Sequence, residues 1–324
     1  MNVENIIKIE HLRAIYKISK TSGINALDDI NIEMKKGQII GIAGESGSGK
    51  TSLLKVLTHS FPPSMEIKGN VSINLQDKSI NLLKLSDSQI QSLCWKVWSY
   101  VPQAAMNSLN PMAKIKDIFW ETLESHDKTI NSYELEKQIE NAFEKVGLSK
   151  KFLNFYSNRL SGGMRQRVII LLATISRPNI IYLDEPTTGL DLVTQRDVIQ
   201  LLQSIHNELN NTFILVTHDI SIHAQIADLV HVMYKGQIIE SALTNEIFHN
   251  PLHPYTKNLI NSVPIIGEHR GKIEPGIKIL STEMSAQGCK FKDRCQFAMP
   301  QCDKYVYTYR LNDHEVKCNL YESH

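Results

Sequence analysis

Long apolar runs, net charge and a disulfide framework are all missing from this chain of 324 residues. The longest uncharged apolar run, Val168 to Ile175, lies between Arg167 and Arg177. It falls far short of the roughly 20 residues that a membrane-crossing helix needs, so the chain is not expected to span a bilayer by itself. With 35 Lys+Arg against 34 Asp+Glu the formal charge is +1, which gives no sign of the strongly basic surface that a nucleic-acid binder uses. The first residues, Met1 to Lys8, lack the basic region, apolar stretch and small-residue cleavage site of a signal peptide. An intracellular protein is therefore expected, and disulfides are rare there. Cysteine is scarce and uneven: Cys94 stands alone, while Cys289, Cys295, Cys302 and Cys318 crowd the end of the chain. What is plentiful is core-forming material, at 42% hydrophobic residues. At about 100–200 residues per domain, one large domain with an appendage, or two domains, is expected.

Apolar runs rich in Ile and Val alternate with longer helical patterns, the sequence form of a parallel sheet covered by helices. Candidate buried strands are Ile39 to Ala43, Ser99 to Val101, Ile180 to Leu183, Phe213 to Val216 and Leu229 to Met233. From Ile7 to Met34 the pattern reads as shorter alternating strands joined at Thr21-Ser22-Gly23, an antiparallel edge sheet. Leu135, Ile139, Ala142, Phe143 and Val146 recur at helical spacing, and Gly147 ends that helix. Residues from about Met106 to Leu160 thus read as a helical insertion. After Pro254 the pattern fades, and Pro264, Gly267, Gly271, Pro275 and Gly276 mark a linker to the cysteine-rich tail.

Gly44-Glu45-Ser46-Gly47-Ser48-Gly49-Lys50-Thr51 matches G-x-x-x-x-G-K-[ST], directly after one candidate strand and before a helical run that begins at Ser52. Glycines in such a loop let backbone N–H groups converge on phosphate oxygens, and the helix N-terminus adds partial positive charge. Lys50 supplies a point charge, and the Thr51 hydroxyl can ligate Mg²⁺. The strand Ile180 to Leu183 ends in Asp184 and Glu185. An acid pair at a strand end is common as plain surface; beside a phosphate loop it becomes a hydrolysis site, Asp184 holding Mg²⁺ and Glu185 orienting and deprotonating the attacking water. His218 follows another strand end, where an imidazole can contact the γ-phosphate, although a lone histidine is more often structural.

Leu160-Ser161-Gly162-Gly163-Met164-Arg165-Gln166-Arg167 has no role within a single phosphate site. With this signature the sequence resembles the nucleotide-binding subunits of ABC transporters. The resemblance implies an α/β fold: a P-loop NTPase (RecA-like) core, an antiparallel β subdomain, a helical subdomain over about residues 104–165 and a small Cys-rich C-terminal extension. It implies a cassette over residues 1–250 and an extension over 251–324. In that family two cassettes pair head to tail, so Ser161, Gly162 and Gly163 of one would close over ATP held by the other. Gln103 resembles the Q-loop glutamine that senses Mg²⁺ and the γ-phosphate. Asp191, in Gly189-Leu190-Asp191, resembles the D-loop, and Tyr16 the aromatic that stacks on adenine, although a strand tyrosine is more often packing.

Ser108-Leu109-Asn110-Pro111 and the run from Ile247 to Thr256 resemble the peptide/nickel (Opp/Dpp-type) importer ATPases. Met164 in the signature resembles the D-type partner of that group. The resemblance implies a second, non-identical ATPase subunit, two transmembrane permease subunits and an extracytoplasmic solute-binding protein, with the chain peripheral on the cytoplasmic face of the membrane. Oligopeptides, dipeptides, oligosaccharides and nickel all remain open as the solute. The four tail cysteines are spaced C-x5-C-x6-C-x15-C. Four thiolates suit a [4Fe–4S] cluster or structural Zn²⁺, and the family comparison favours the cluster; buried reduced thiols are the plain alternative. Cys94 reads as packing. Two other readings stand beside the importer: a soluble ABC ATPase acting on nucleic acid or ribosomes, and a metal-sensing module in which the tail is the function.

Overall fold

The computed structural model describes residues 4–19, 22–75, 78–126, 131–262 and 288–322. The expected linker residues Pro264, Gly267, Gly271, Pro275 and Gly276, and Thr21 of the expected turn, lie outside them. The chain forms two compact units, one from residues 1–84 and 215–324 and one from residues 85–214.

The first unit opens with β1 (Asn5–Lys17) and β2 (Gly23–Lys35), antiparallel partners of 13 residues each. They are longer than the sequence led us to expect, because register shifts between Asn5 and Ile15 break the apolar alternation without ending the ladder. With β4 (Met65–Leu75) and β5 (Lys78–Asn81) they make a separate four-stranded sheet in the order β2-β1-β4-β5, rather than an edge of the main one. Between these pairs come β3 (Ile39–Ala43), buried throughout, and α1 (Lys50–Leu57), whose Leu53, Leu54, Val56 and Leu57 are buried.

In the second unit α2 (Asp87–Leu93) starts on a capping box: Ser86 accepts from the Gln89 N–H and the Gln89 side chain returns to the Ser86 N–H. Strand β6 (Trp98–Val101) leads into α3 (Ile115–His126) and α4 (Ser132–Lys145). Asn131 caps α4, and Leu135, Ile139 and Phe143 form its buried stripe, as their spacing requires. Gly147 follows the helix at φ 69°. Next come α5 (Gly162–Thr174), β7 (Ile180–Asp184), paired parallel to β6, and α6 (Leu192–Leu209). The boundary between the units falls within β8 (Thr212–Val216).

The first unit resumes with α7 (Ile220–Ile226), β9 (Leu229–Tyr234), parallel to β3, and β10 (Gln237–Leu243), antiparallel to β9. Helices α8 (Thr244–His249) and α9 (Pro254–Asn261) follow. The fading of pattern after Pro254 thus conceals a helix: proline fills its first turn, and the His253 ring accepts the Tyr255 N–H at 3.0 Å. The cysteine-rich tail contributes β11 (Thr308–Leu311) and β12 (His314–Lys317), and β12 pairs with β10 through Glu240↔Val316 and Ser241↔Glu315. In this unit the strand order is β11-β12-β10-β9-β3. Phe291, buried between Tyr234, Tyr255 and His253, plugs the tail into the core, with ring centroids 5.4, 5.5 and 5.7 Å apart.

Candidate functional site

In the first unit β3 ends at Ala43 and the chain turns at Gly44, with φ 150°, where any Cβ would run into the Met233 carbonyl oxygen. Gly49, at φ 108°, passes so close to Ala26 that a Cβ would lie 2.6 Å from its carbonyl oxygen. Glycine is the residue that allows both. Helix α1 starts at Lys50 with no side-chain cap on its first turn, the arrangement in which helix N–H groups can meet an anion. The Lys50 ammonium is buried inside the loop and donates to Gly44 O at 2.6 Å, Glu45 O at 2.8 Å and Ser48 Oγ at 3.4 Å. Ser46 and Gly47 are exposed at the loop's tip, Ser48 is buried, and Thr51 and Ser52 are half-buried in the first helical turn. A buried ammonium in a ring of backbone, with a helix start behind it, fits a polyphosphate and its Mg²⁺ in charge and in shape. Tyr16, half-buried near the end of β1, places its hydroxyl 3.5 Å from Ser52 Oγ, so this ring stands beside the loop's helix. His218, exposed two residues beyond β8, belongs to the same unit.

The loop is held from outside by residues the motif does not contain. The Glu45 N–H donates to Tyr255 Oη at 2.8 Å. The Arg294 guanidinium donates to both Glu45 carboxylate oxygens, each at 2.9 Å. That fork holds the Glu45 carboxyl below its ordinary range, against a partial burial that pushes the other way.

The second unit carries the acids. Asp184, buried at the end of β7, accepts from Tyr100 Oη at 3.2 Å. Burial first, then the Asp184 charge and this bond, raise the Tyr100 phenol well above its ordinary value, so the hydroxyl stays a donor. Glu185 sits in left-handed backbone at φ 53°, a strain that clusters at functional positions, and its Oε2 accepts from Thr188 Oγ1 at 2.7 Å. Gln103 is exposed just beyond β6. Ser161 caps α5 by accepting the Met164 N–H at 3.3 Å, and Gly162 and Gly163 are the first helical residues. Asp191 caps α6, accepting from Val193 N at 3.1 Å, Thr194 N at 3.0 Å and Thr194 Oγ1 at 2.7 Å. The two Thr194 bonds lead in holding its carboxyl below the ordinary value.

The expected site residues therefore divide between the units: Tyr16, the loop with Ser52, and His218 in one, and Gln103, the signature, Asp184, Glu185 and Asp191 in the other. Tyr100, Thr188, Tyr255 and Arg294 are partners that sequence reasoning missed. A tyrosine one residue ahead of a strand end carries no signal of its own, and Arg294 meets Glu45 across 249 residues of chain.

Cys94 ends α2 half-buried, and burial alone raises its thiol, as fits packing. The four tail cysteines lie together in the first unit. The Cys289 N–H donates to Cys302 O at 2.8 Å. Burial raises the Cys289, Cys295 and Cys318 thiols, the last to about 11, and each also feels one or more of its neighbours' charge. The donor type is soft, the kind that iron–sulfur clusters and zinc take. Among the described residues, however, no group of three or more His, Cys, Asp or Glu side chains is arranged to hold a metal ion.

A phosphate loop on a strand-to-helix turn, a buried strand-end aspartate and a serine-capped glycine helix define a P-loop NTPase of the cassette type. Residues 27–188 match the model of the ABC transporter family, and residues 239–302 that of the oligopeptide/dipeptide transporter C-terminal region. The chain is 39% identical to the dipeptide transport ATP-binding protein DppD of Caldanaerobacter subterraneus subsp. tengcongensis, over 98% of this chain and 97% of that one. It is 31% identical to the oligopeptide transport ATP-binding protein AppF of Bacillus subtilis (strain 168), over 99% and 98%. A solved dimeric structure of the ATP-binding cassette MJ0796, in a post-hydrolysis state bound to ADP and Pi, shares 26% identity with a TM-score of 0.63, covering 74% of this chain and 98% of that one. The chain belongs to the ABC transporter family, among its ATP-binding subunits that carry the oligopeptide/dipeptide C-terminal region. It is an ATPase.

Proposed function

We propose that this ATPase energises uptake of dipeptides or oligopeptides. The observation that carries the reading is one chain joining a built phosphate loop, with Lys50 buried in it, to the C-terminal region named for oligopeptide and dipeptide transporters. In this reading the cassette takes up residues 1–250, with a helical subdomain near 104–165, and the extension residues 251–324. The loop amides from Gly44 to Thr51, with Ser52 and the Lys50 ammonium, bind phosphate oxygens, and Tyr16 stacks on adenine. Thr51, Asp184 and Gln103 would hold Mg²⁺, which when bound neutralises charge growing on the phosphate oxygens. Tyr100 keeps Asp184 aimed by donating to it. Glu185 takes the proton of the attacking water, steadied by Thr188, while His218 and Gln103 contact the γ-phosphate side. Ser161, Gly162, Gly163 and Asp191 serve the ATP and the interface of a second cassette; that the solved MJ0796 cassette is a dimer supports a paired arrangement.

The partner cassette would be a second, non-identical subunit, this chain being the D-type member in keeping with its 39% identity to DppD. Two permease subunits would carry the membrane path, since no helix among the described residues is long and apolar enough to cross one. An extracytoplasmic binding protein would deliver the solute, and the chain would sit on the cytoplasmic face. In this reading Cys289, Cys295, Cys302 and Cys318 would hold a structural [4Fe–4S] cluster in preference to zinc once drawn together, since as they stand no group among the described residues is arranged to hold a metal ion. Anaerobically purified chain should be brown and carry iron, and colourless chain free of iron and zinc would leave the thiols as packing.

Co-purification with the co-encoded permeases and binding protein, followed by ATPase assays with di- to pentapeptides, tests the whole reading. Peptide-stimulated hydrolysis is expected. Peptide-independent hydrolysis that rises with DNA, RNA or ribosomes would overturn it.

A further inference from the structure

The extension named for peptide transport does more in this fold than add two strands. Arg294, one position ahead of Cys295, reaches the phosphate loop itself. Its guanidinium makes two parallel 2.9 Å bonds to Glu45, the second residue of the loop motif. Only arginine offers that planar fork. The fork is itself braced: its carbon lies 5.8 Å from the Tyr234 ring centre and 5.6 Å from that of Phe291. Those two rings pack on Tyr255, whose hydroxyl takes the Glu45 N–H. Glu45 is thus gripped at its backbone and at its side chain by one aromatic cluster, and the next atoms along the loop are the Glu45 carbonyl and Ser46. That same Glu45 carbonyl accepts from the Lys50 ammonium at 2.8 Å. Whatever fixes Glu45 therefore fixes one of the loop oxygens that hold the lysine.

We propose that Arg294 is a positioning residue for the phosphate loop, and that the cysteine-bearing extension thereby completes the nucleotide site of its own chain. It sets the loop's shape before nucleotide arrives, so its loss falls on binding and KM rather than on kcat. The inference rests on the nucleotide reading of the loop given above. Because both side chains are about half exposed, the expected effect is modest, about a 3- to 5-fold loss of affinity, the upper end of what an exposed pair contributes.

The test uses the full chain and Mg·ATP, with Kd from titration and KM and kcat from steady-state hydrolysis. Arg294→Ala should raise Kd and KM by about that factor and leave kcat near wild type. Arg294→Lys, which keeps charge and stem but not the fork, should recover only part of the loss. Glu45→Gln approaches the pair from the loop and should cost no more when combined with Arg294→Ala than either change alone. This non-additivity is what a general loss of stability would not produce. Unchanged Kd in both single variants, full additivity in the double, or complete rescue by Arg294→Lys would overturn the proposal. Wild-type chain that binds no Mg·ATP would instead overturn the nucleotide reading beneath it.

Discussion

At the scale of single residues the first unit holds a buried cation in its loop and the second unit holds the strand-end acids. Lys50 lies among three loop acceptors, so its ammonium is a fixed charge rather than a mobile surface one. Lys50→Ala should weaken Mg·ATP binding about 10- to 100-fold, the span of a hydrogen bond to a charged group, as read by titration of the purified chain. Glu185 is held by its strained backbone and by Thr188. Glu185→Gln keeps the shape and removes the base, so ATP should still bind while turnover drops by about 10²–10⁴. Hydrolysis at the wild-type rate would remove Glu185 from that role. Much of this was legible in the sequence, because the spacing of Gly44, Gly49, Lys50 and Thr51 follows from the geometry of a phosphate loop. Tyr100 was not, since nothing in its neighbours marks it as the donor to Asp184.

At the scale of elements the signature is also a packing device. Gly163 stands where any Cβ would press into the Thr194 side chain, and Thr194 is itself bound to the Asp191 cap of α6. A helix start that would otherwise prefer alanine therefore needs glycine. Gly163→Ala should cost about 1–3 kcal/mol through overpacking, measured by denaturant unfolding, and should lower ATPase further than that loss of folded protein explains. Asp191 shows how a motif can serve two readings: its carboxylate caps α6 with three bonds, a purely local task that the sequence pattern already carries as aspartate before a helix. The α9 helix shows the reverse. Its polar sequence hides the periodicity, and Pro254 with the His253 cap on the Tyr255 N–H sets where it begins.

At the scale of the whole molecule the tail is bound to the cassette's sheet by buried polar groups. Glu240, 1% exposed, accepts from Leu252 N at 2.7 Å, His253 N at 2.9 Å and His314 Nε2 at 2.7 Å. One carboxylate thus ties β10, the approach to α9 and β12. Glu240→Ala strips all three at once and should destabilise the protein by about 3–5 kcal/mol, with the tail becoming the first site of limited proteolysis. Two buried histidines nearby set the acid side of stability. Burial lowers His231 and His253 to about 4 from an ordinary 6.5, Glu240 opposing this at His253. In that window the unfolded chain takes up protons that the folded chain refuses, so stability rises with pH. It should fall as pH drops from about 6.5 toward 4, by up to roughly 1.4 kcal/mol per unit for each ring. Denaturant midpoints taken at pH 7, 6 and 5 check this, and a flat profile would show that the rings are not held neutral.

The sequence by itself determined the phosphate loop, the strand-end acids, the signature and the buried strands, because each depends on residues a few positions apart whose local geometry dictates their type. Only the tertiary structure decided what supports them. Tyr100 finds Asp184 through the parallel pairing of β6 and β7, and the last strand of the tail finds β10 through Glu240 and Ser241. Arg294 finds Glu45 because Phe291 packs between Tyr234 and Tyr255. Such contacts join residues far apart in the chain, and their energies come from close packing and paired charge, which leave no periodic trace along a sequence.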